Sequence, residues 1–283
     1  MAKGILKIAT CQFAVSSSIK KNAQQIRRFL QKAKKAGADI VHFSECTLSG
    51  YVGTDFPTFK GYDWLLLRKE AEKIISLSAE LGLWVVLGSS HKLTEPNKPH
   101  NSLYLISPKG KIIDRYDKRF CTKADLRRLT PGNSFVFFTV NGIKCSLLIC
   151  FDLRFPEIYR HLYKQKVNCI FQSFYNARQK GPSVHAHIMR QTMQCRAATN
   201  HLWTSCANSS AYYSPYPSFF VRPDGKIVKQ LKQNRAGMMI NIVDLSRKFY
   251  DPMKDFRNSA IAGKLDNAPK KITDKRSKNK KQL

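Results

Sequence analysis

Acidic residues are scarce in this chain of 283 residues: 19 Asp and Glu stand against 49 Lys and Arg, giving a formal net charge of +30. Such an excess says little about fold, but it raises the local concentration of anionic ligands, from small carboxylates to polyanions. No Cys-x-x-Cys pair occurs among the eight cysteines, Cys11, Cys46, Cys121, Cys145, Cys150, Cys169, Cys195 and Cys206. Several of them lie inside apolar strand patterns, where a free thiol behaves as a small hydrophobe, so neither a disulfide framework nor a zinc site is expected. Long apolar runs are missing too. The most apolar segment, Leu81 to Gly88, is far too short to span a bilayer, and no hydrophobic stretch follows the first lysine. The expectation is a soluble, cytoplasmic protein with no membrane span. Internal repeats are absent, and Pro and Gly are scattered. From Lys264 to Leu283 the chain holds eight Lys or Arg and two Asp and loses its apolar periodicity. That marks 264–283 as a lysine-rich, disordered tail behind a single domain, 1–263.

What is present is an alternation of strands and helices over a 43% apolar chain, enough for one large core. Gly4 to Phe13 reads as a first strand. Ile19, Ala23, Ile26, Leu30 and Ala33 then form one apolar helix face that Gly37 stops, with lysines and arginines covering the rest. For that basic face a solvated surface is preferred over a nucleic-acid footprint, because aromatic residues are not interleaved. Asp39 to Ser44 is a second strand, Trp64 to Leu81 a second helix, and Leu83 to Ser90 a strand covered on both faces. Asn101–Ser107 and Lys111–Tyr116 form a hairpin through Pro108-Lys109-Gly110, and Phe135–Val140 and Ile143–Ile149 another through Asn141-Gly142. Beyond it come a helix to Lys164, a strand Val167–Ser173, a helix over Val184–Ala198, and closing strands near 201–207, 218–222, 227–231 and 237–243. Antiparallel pairs inside an alternating chain imply an α/β protein with a mixed sheet and helices on its outer face.

Three polar residues stand at strand ends. Cys150 follows the apolar run from Ile143, at a corner where a helix opens near Pro156 and Glu157. Glu45 follows the second strand, and Lys118 follows the strand Lys111–Tyr116. A free thiol is only a few per cent ionised at neutral pH, so a catalytic cysteine needs a cation or a base beside it. Lys118 is expected to lower the thiol's pKa and Glu45 to take its proton. Lys118 and the backbone N–H of Phe151 are then the candidate oxyanion donors. Taken singly, a strand-end Cys is more often core, and a loop Glu or Lys more often solvated; their joint occurrence is the signal.

The pattern resembles the nitrilase superfamily of carbon–nitrogen hydrolases, which use a Glu-Lys-Cys triad in this chain order. Phe43-Ser44-Glu45-Cys46-Thr47-Leu48-Ser49-Gly50-Tyr51 is similar to the family's first motif, with Ser44 where Pro is common. Tyr116-Asp117-Lys118-Arg119-Phe120 is similar to its second, and Cys150-Phe151-Asp152-Leu153-Arg154-Phe155-Pro156-Glu157 to its third. Arg196 to Asn200, Ser218 to Gly225 and Val243 to Leu245 extend the resemblance over about residues 4–257. The resemblance implies a four-layer α-β-β-α sandwich, no metal and no organic cofactor, a thioester intermediate, and pairing into homodimers or higher homo-oligomers. It also implies a second active-site acid, at which this chain has Asp125 in place of Glu, and a substrate-contacting Tyr51.

The nucleophile motif is most like that of the Nit-type ω-amidases, which favours an amide over a nitrile. Arg154 is the candidate partner for a substrate carboxylate; the competing reading is an internal salt bridge with Asp152, Glu157 or another acid. The expected substrate is a small ω-amide of a dicarboxylic acid, releasing ammonia, with an N-carbamoyl amino acid as the alternative. His185-Ala186-His187 with Cys195 is not read as a metal site, since residues at i and i+2 do not share a helix face. Ser209 to Phe220, with Tyr212, Tyr213, Tyr216, Phe219 and Phe220, reads as the wall of a pocket or a dimer contact, or equally as ordinary packing. A role in binding polyanions, nucleic acid included, is kept as a second class and is not favoured, because a binding scaffold has no need of the triad.

Overall fold

Parity decides which face each strand buries. In β1 (Ile5–Gln12), Leu6 and Ile8 enter one core while Ala9 and Cys11 enter another. The same division recurs in β2 (Ile40–His42), between Ile40 and Val41, and in β3 (Trp84–His91), between Val86 and the pair Val85 and Leu87. A sheet apolar on both faces must be covered twice. One face meets the helices α1 (Ile19–Lys35) and α2 (Trp64–Leu81), and the other meets a second sheet. The structure, a computed structural model, describes residues 4–268 and 270–281.

The first sheet has the order β12-β1-β2-β3-β4-β5, adding β4 (His100–Ile106), β5 (Ile112–Asp117) and β12 (Gly237–Asp244). The second has the order β11-β10-β9-β8-β7-β6. Its strands are β6 (Phe137–Val140), β7 (Ile143–Ile149), β8 (Cys169–Ser173), β9 (Trp203–Ala207), β10 (Phe219–Val221) and β11 (Ile227–Gln230). A short helix α3 (Lys123–Leu126) lies between β5 and β6. The helices α4 (Pro156–Lys164) and α5 (Val184–Asn200) pack Ile158, Tyr159, Leu162, Met189, Met193 and Ala197 into the core of the second sheet. The result is the α/β four-layer arrangement, α-β-β-α.

Strand direction gathers the site. β1, β2 and β3 are parallel, and β4 is antiparallel to β3 and to β5, so β5 ends on the same edge as β2. β7, β8 and β9 are likewise parallel. Two seams hold the sheets in register. His42 bridges Ser205 Oγ and Ser173 Oγ, each at 2.9 Å, and the Glu45 backbone N–H donates to Phe174 O at 3.2 Å.

Several elements differ from their expected bounds. β2 stops at His42 rather than Ser44, because the chain turns there: Cys46 has φ 52°, and Gly88 lets the turn lie on β3. A Cβ on Gly88 would sit 2.2 Å from Ser44 O. The stretch before Pro131 contains α3, which Thr122 and Asp125 close with reciprocal side-chain bonds. Phe135 and Val136 fall outside β6, and a 3-10 turn, Cys150–Arg154, stands between β7 and α4.

The chain divides into two units between Phe249 and Tyr250. The second contains the helices α6 (Arg257–Ile261) and α7 (Lys275–Lys278), and Arg257 Nη1 donates to Asp251 Oδ2 at 3.0 Å. Of the expected tail, residues 269, 282 and 283 lie outside the described residues. Among the described residues no helix is long and apolar enough to cross a membrane.

Candidate active site

Three strand ends and one loop supply the central cluster. Lys118, the residue after β5, donates from Nζ to Glu45 Oε1 and to Asp125 Oδ2, each at 3.0 Å, and to Tyr51 OH at 3.3 Å. Glu45 and Lys118 are almost wholly shielded from solvent, at 0% and 1% exposure. Glu45 Oε1 also accepts from Asn101 Nδ2 at 2.7 Å, whereas Glu45 Oε2 is buried with no hydrogen-bond partner. Asn101 joins both residues, since its backbone carbonyl accepts the Lys118 N–H at 2.8 Å. Asp125 reaches the ammonium despite its shorter side chain, because it sits in the first turn of α3; its Oδ1 accepts from Tyr51 OH at 2.7 Å.

Cys150 occupies a strained corner with φ 41°, a left-handed value that non-glycine residues seldom adopt. Its Sγ accepts from Asn176 Nδ2 at 3.5 Å and from the Tyr175 backbone N–H, both just beyond the neighbouring parallel strand β8. Asp152 fixes the corner. Its Oδ2 accepts from the Ile149 N–H at 2.9 Å and from Tyr116 OH at 2.7 Å, and its Oδ1 from the Phe120 N–H at 2.9 Å. One buried carboxylate thereby ties the turn after the thiol to the segments on either side of Lys118.

The electrostatics determine resting protonation. Burial pushes the Cys150 thiol up, and Glu45 adds to this; Lys118 and the Tyr175 N–H pull the other way and are outweighed. Lys118 acts in the expected direction, pulling the thiol's pKa down, but desolvation outweighs it. Burial therefore disfavours ionisation of the thiol. Burial likewise raises Glu45 above the ordinary carboxylate value, with Lys118 as the main opposing influence. Burial works against the Lys118 charge, but Glu45, Tyr51, Cys150 and Asp125 outweigh it and hold the ammonium protonated. For Asp125, burial is overcome by Lys118 and the Tyr51 hydroxyl, and its carboxyl lies below the usual range.

Cys150, Lys118, Asp125 and Tyr51 line a cleft of roughly 470 Å³ together with Phe151, Arg154, Arg128, Arg178 and His185, while Glu45 lies buried behind them on Lys118. Arg154 makes none of the anticipated salt bridges: among the described residues no carboxylate lies within 4.0 Å of it, since Asp152 is occupied elsewhere. Its Nη2 instead lies 3.3 Å from His185 Nδ1. Arg178 is neutralised by Asp55 at 2.8 Å, while Arg128 donates only to a backbone carbonyl, Pro57 O, at 3.1 Å. The cleft thus carries two guanidiniums, Arg154 and Arg128, without a carboxylate partner.

The triad, Asp125, Tyr51, Phe151 and Arg154 all meet at this place. Tyr216, Phe219 and Phe220 are core, Tyr212 and Tyr213 are exposed, and none of the five lines the cleft. Among the described residues no cluster of His, Cys, Asp or Glu could hold a metal ion. The sequence reading missed Asn101, Tyr175, Asn176, Arg128 and His185. Tyr175 and Asn176 had a signal, since they follow a strand that runs beside the nucleophile strand; the others depend on contacts between distant segments.

A thiol on a strained strand end, a buried carboxylate with an unpartnered oxygen and a buried lysine stand together at the ends of these strands. The carbon–nitrogen hydrolase family model matches residues 7–251, and the chain belongs to that family. Omega-amidase NIT2 of Homo sapiens is 24% identical over 258 residues, covering 85% of this chain and 89% of the relative. The Staphylococcus lugdunensis protein described as a hydrolase in the agr operon is 25% identical over 217 residues, covering 72% and 87%. Among solved structures, an amidase from Nesterenkonia sp. superposes with a TM-score of 0.74 at 19% identity, covering 94% of this chain and 98% of the amidase. The chain is a carbon–nitrogen hydrolase of the nitrilase superfamily, similar to Nit-type ω-amidases.

Proposed function

We propose that this enzyme hydrolyses a small, carboxylate-bearing amide through a thioester on Cys150 and releases ammonia. The observation that carries the reading is the buried, unpartnered Glu45 Oε2 in a site whose thiol is kept protonated. Glu45 Oε2 takes the Sγ proton as sulfur bonds to the amide carbon, and Lys118 Nζ with the Phe151 N–H holds the oxyanion. Glu45 then delivers that proton to the leaving nitrogen, the C–N bond breaks, and ammonia departs from the thioester. A water molecule gives a proton to Glu45 as its oxygen adds to the acyl carbon; the C–S bond breaks, and the thiolate recovers the proton. The sum is amide plus water to carboxylic acid plus ammonia. Asp125 and Tyr51 hold Lys118 in place. Arg154 and Arg128, lacking internal carboxylates, are free for a carboxylate on the substrate, and the name of the human relative agrees with an ω-amide.

An N-carbamoyl amino acid would offer Arg154 the same carboxylate, so the test compares the two. Wild type and Cys150→Ala are incubated with glutaramate-type ω-amides, N-carbamoyl amino acids, neutral amides and nitriles, and ammonia and intact mass are followed. Release from a carboxylate-bearing amide together with a trapped acyl adduct, both lost in the variant, supports the proposal. Equal turnover of a charged amide and its neutral analogue would remove Arg154 from it. The reading also takes the enzyme as a cytoplasmic homodimer, which sedimentation and cell fractionation address.

A further inference from the structure

The solvent face of α1 carries a concentration of cations without internal partners. Lys20, Lys21, Arg28, Lys32, Lys34 and Lys35 are all exposed, and among the described residues none has a carboxylate within 4.0 Å. At 100° per residue the six fall within an arc of roughly 160°, whose other members are Gln24, Gln31 and Arg27, the last of which is paired with Glu70 at 2.6 Å. No acid occurs on the helix, and its first turn holds Lys20 and Lys21 at the positive end of the dipole. Arg28 and Lys32 repel each other at i, i+4, as do Lys32 and Lys35 at i, i+3. On α2, by contrast, Arg68 and Lys73 each find a glutamate, Glu72 and Glu70. Lys32, Lys34 and Lys35 suit the negative end of the dipole, but six exposed cations on one face without a carboxylate still point to a ligand that supplies negative charge.

We propose that this face binds the phosphate backbone of duplex nucleic acid without reading sequence. The arc contains no apolar residue, so it has nothing to insert into a lipid interface. It holds no aromatic residue for base stacking, which disfavours single strands. What remains is a rod about 25 Å long bearing cations and two amides, which complements a regular row of phosphates. The site is independent of the catalytic cleft, to which α1 contributes no lining residue.

The experiment measures binding of the full chain to a 24-base-pair DNA duplex by fluorescence anisotropy between 50 and 250 mM salt. It is repeated on a variant with all six cations replaced by Gln, and on a second in which Lys270, Lys271, Lys275, Arg276, Lys278, Lys280 and Lys281 are replaced instead. Removing like-charge repulsion leaves α1 folded, which circular dichroism verifies. The expected result is at least a tenfold loss of duplex affinity at 100 mM salt in the α1 variant. If each cation meets one phosphate, the slope of log affinity against log salt flattens by about five. The second variant loses less than threefold. Binding unchanged in the α1 variant, loss confined to the second variant, no duplex binding at 50 mM salt, or tighter binding to a single strand or to phosphatidylserine vesicles would each overturn the proposal.

Discussion

His42 offers a test of how the two sheets are joined. Its ring is fully buried at the inter-sheet seam, with Phe171 edge-on at 5.2 Å and a serine hydroxyl at each nitrogen. Ser173 Oγ donates onward to Phe43 O at 2.9 Å, so it accepts from His42 Nε2, which places a proton on that nitrogen. Burial lowers the His42 pKa from 6.5 to about 3. The folded value lies below the unfolded one, so between these limits the unfolded chain holds the extra proton. The stability is therefore intact above the unfolded value and is lost as the pH falls towards the folded one. At 1.36 kcal/mol per unit, moving from pH 7.5 to pH 5.0 removes about 2 kcal/mol through this residue alone. Guanidinium unfolding of wild type and His42→Gln at both pH values isolates the effect, since every other titration cancels in the comparison. At pH 7.5 the variant should be less stable by about 1–3 kcal/mol, the cost of leaving a buried hydroxyl without its partner. At pH 5.0 that gap should shrink by about 2 kcal/mol. A gap of equal size at both pH values would show that His42 does not titrate between folded and unfolded states, and the reasoning would fail.

Glu45→Gln should lower kcat/KM by about 10²–10⁴ while leaving the fold intact, as loss of a general base does; an activity within tenfold of wild type would remove Glu45 from that role. Because burial holds Glu45 above 4.5 and it must be ionised to act, kcat/KM in the wild type should fall on the acid side through an apparent pKa higher than that value. Asp152→Asn replaces an acceptor with a donor facing the Ile149 N–H and Tyr116 OH, and should cost about 1–3 kcal/mol in denaturant unfolding, with a matching loss of activity. Gly88→Ala drives a methyl group into Ser44 O; the expected product is a folded protein with Glu45 displaced and activity at least tenfold lower, whereas full activity would show that the 44–46 turn is compliant.

The helices and most strand ends were legible because local patterns decide them. Ile19, Ala23, Ile26 and Leu30 face inward as their spacing requires, and Asn141-Gly142 makes its hairpin. That Glu45, Lys118 and Cys150 come together was legible because each stands just beyond a strand end. Division into two sheets was not, since nothing in the alternation of β7 or β8 distinguishes a second sheet from a continuation of the first; the family resemblance supplied the sandwich. The pairing of β1 with β12 was equally hidden, because it joins Ile5 to Asp244. That Asp125 would reach Lys118 was not legible, because α3, which brings it close, is only four residues long. The free state of Arg154 follows from Asp152 being claimed by Ile149, Phe120 and Tyr116, a competition that one-dimensional spacing does not reveal.

That pairing of first strand with last has a consequence for synthesis on the ribosome. Glu45, Lys118 and Cys150 have all left the exit tunnel well before β12, yet the sheet carrying Glu45 and Lys118 still lacks the neighbour that covers β1. Closing so distant a contact is slow and cannot begin until the strand exists. A nascent chain therefore holds Glu45, Lys118 and Cys150 while one sheet edge is still open, and completion of that sheet waits for β12. Truncation just before Gly237 should accordingly yield an aggregation-prone species with an unpaired edge rather than a weakened enzyme.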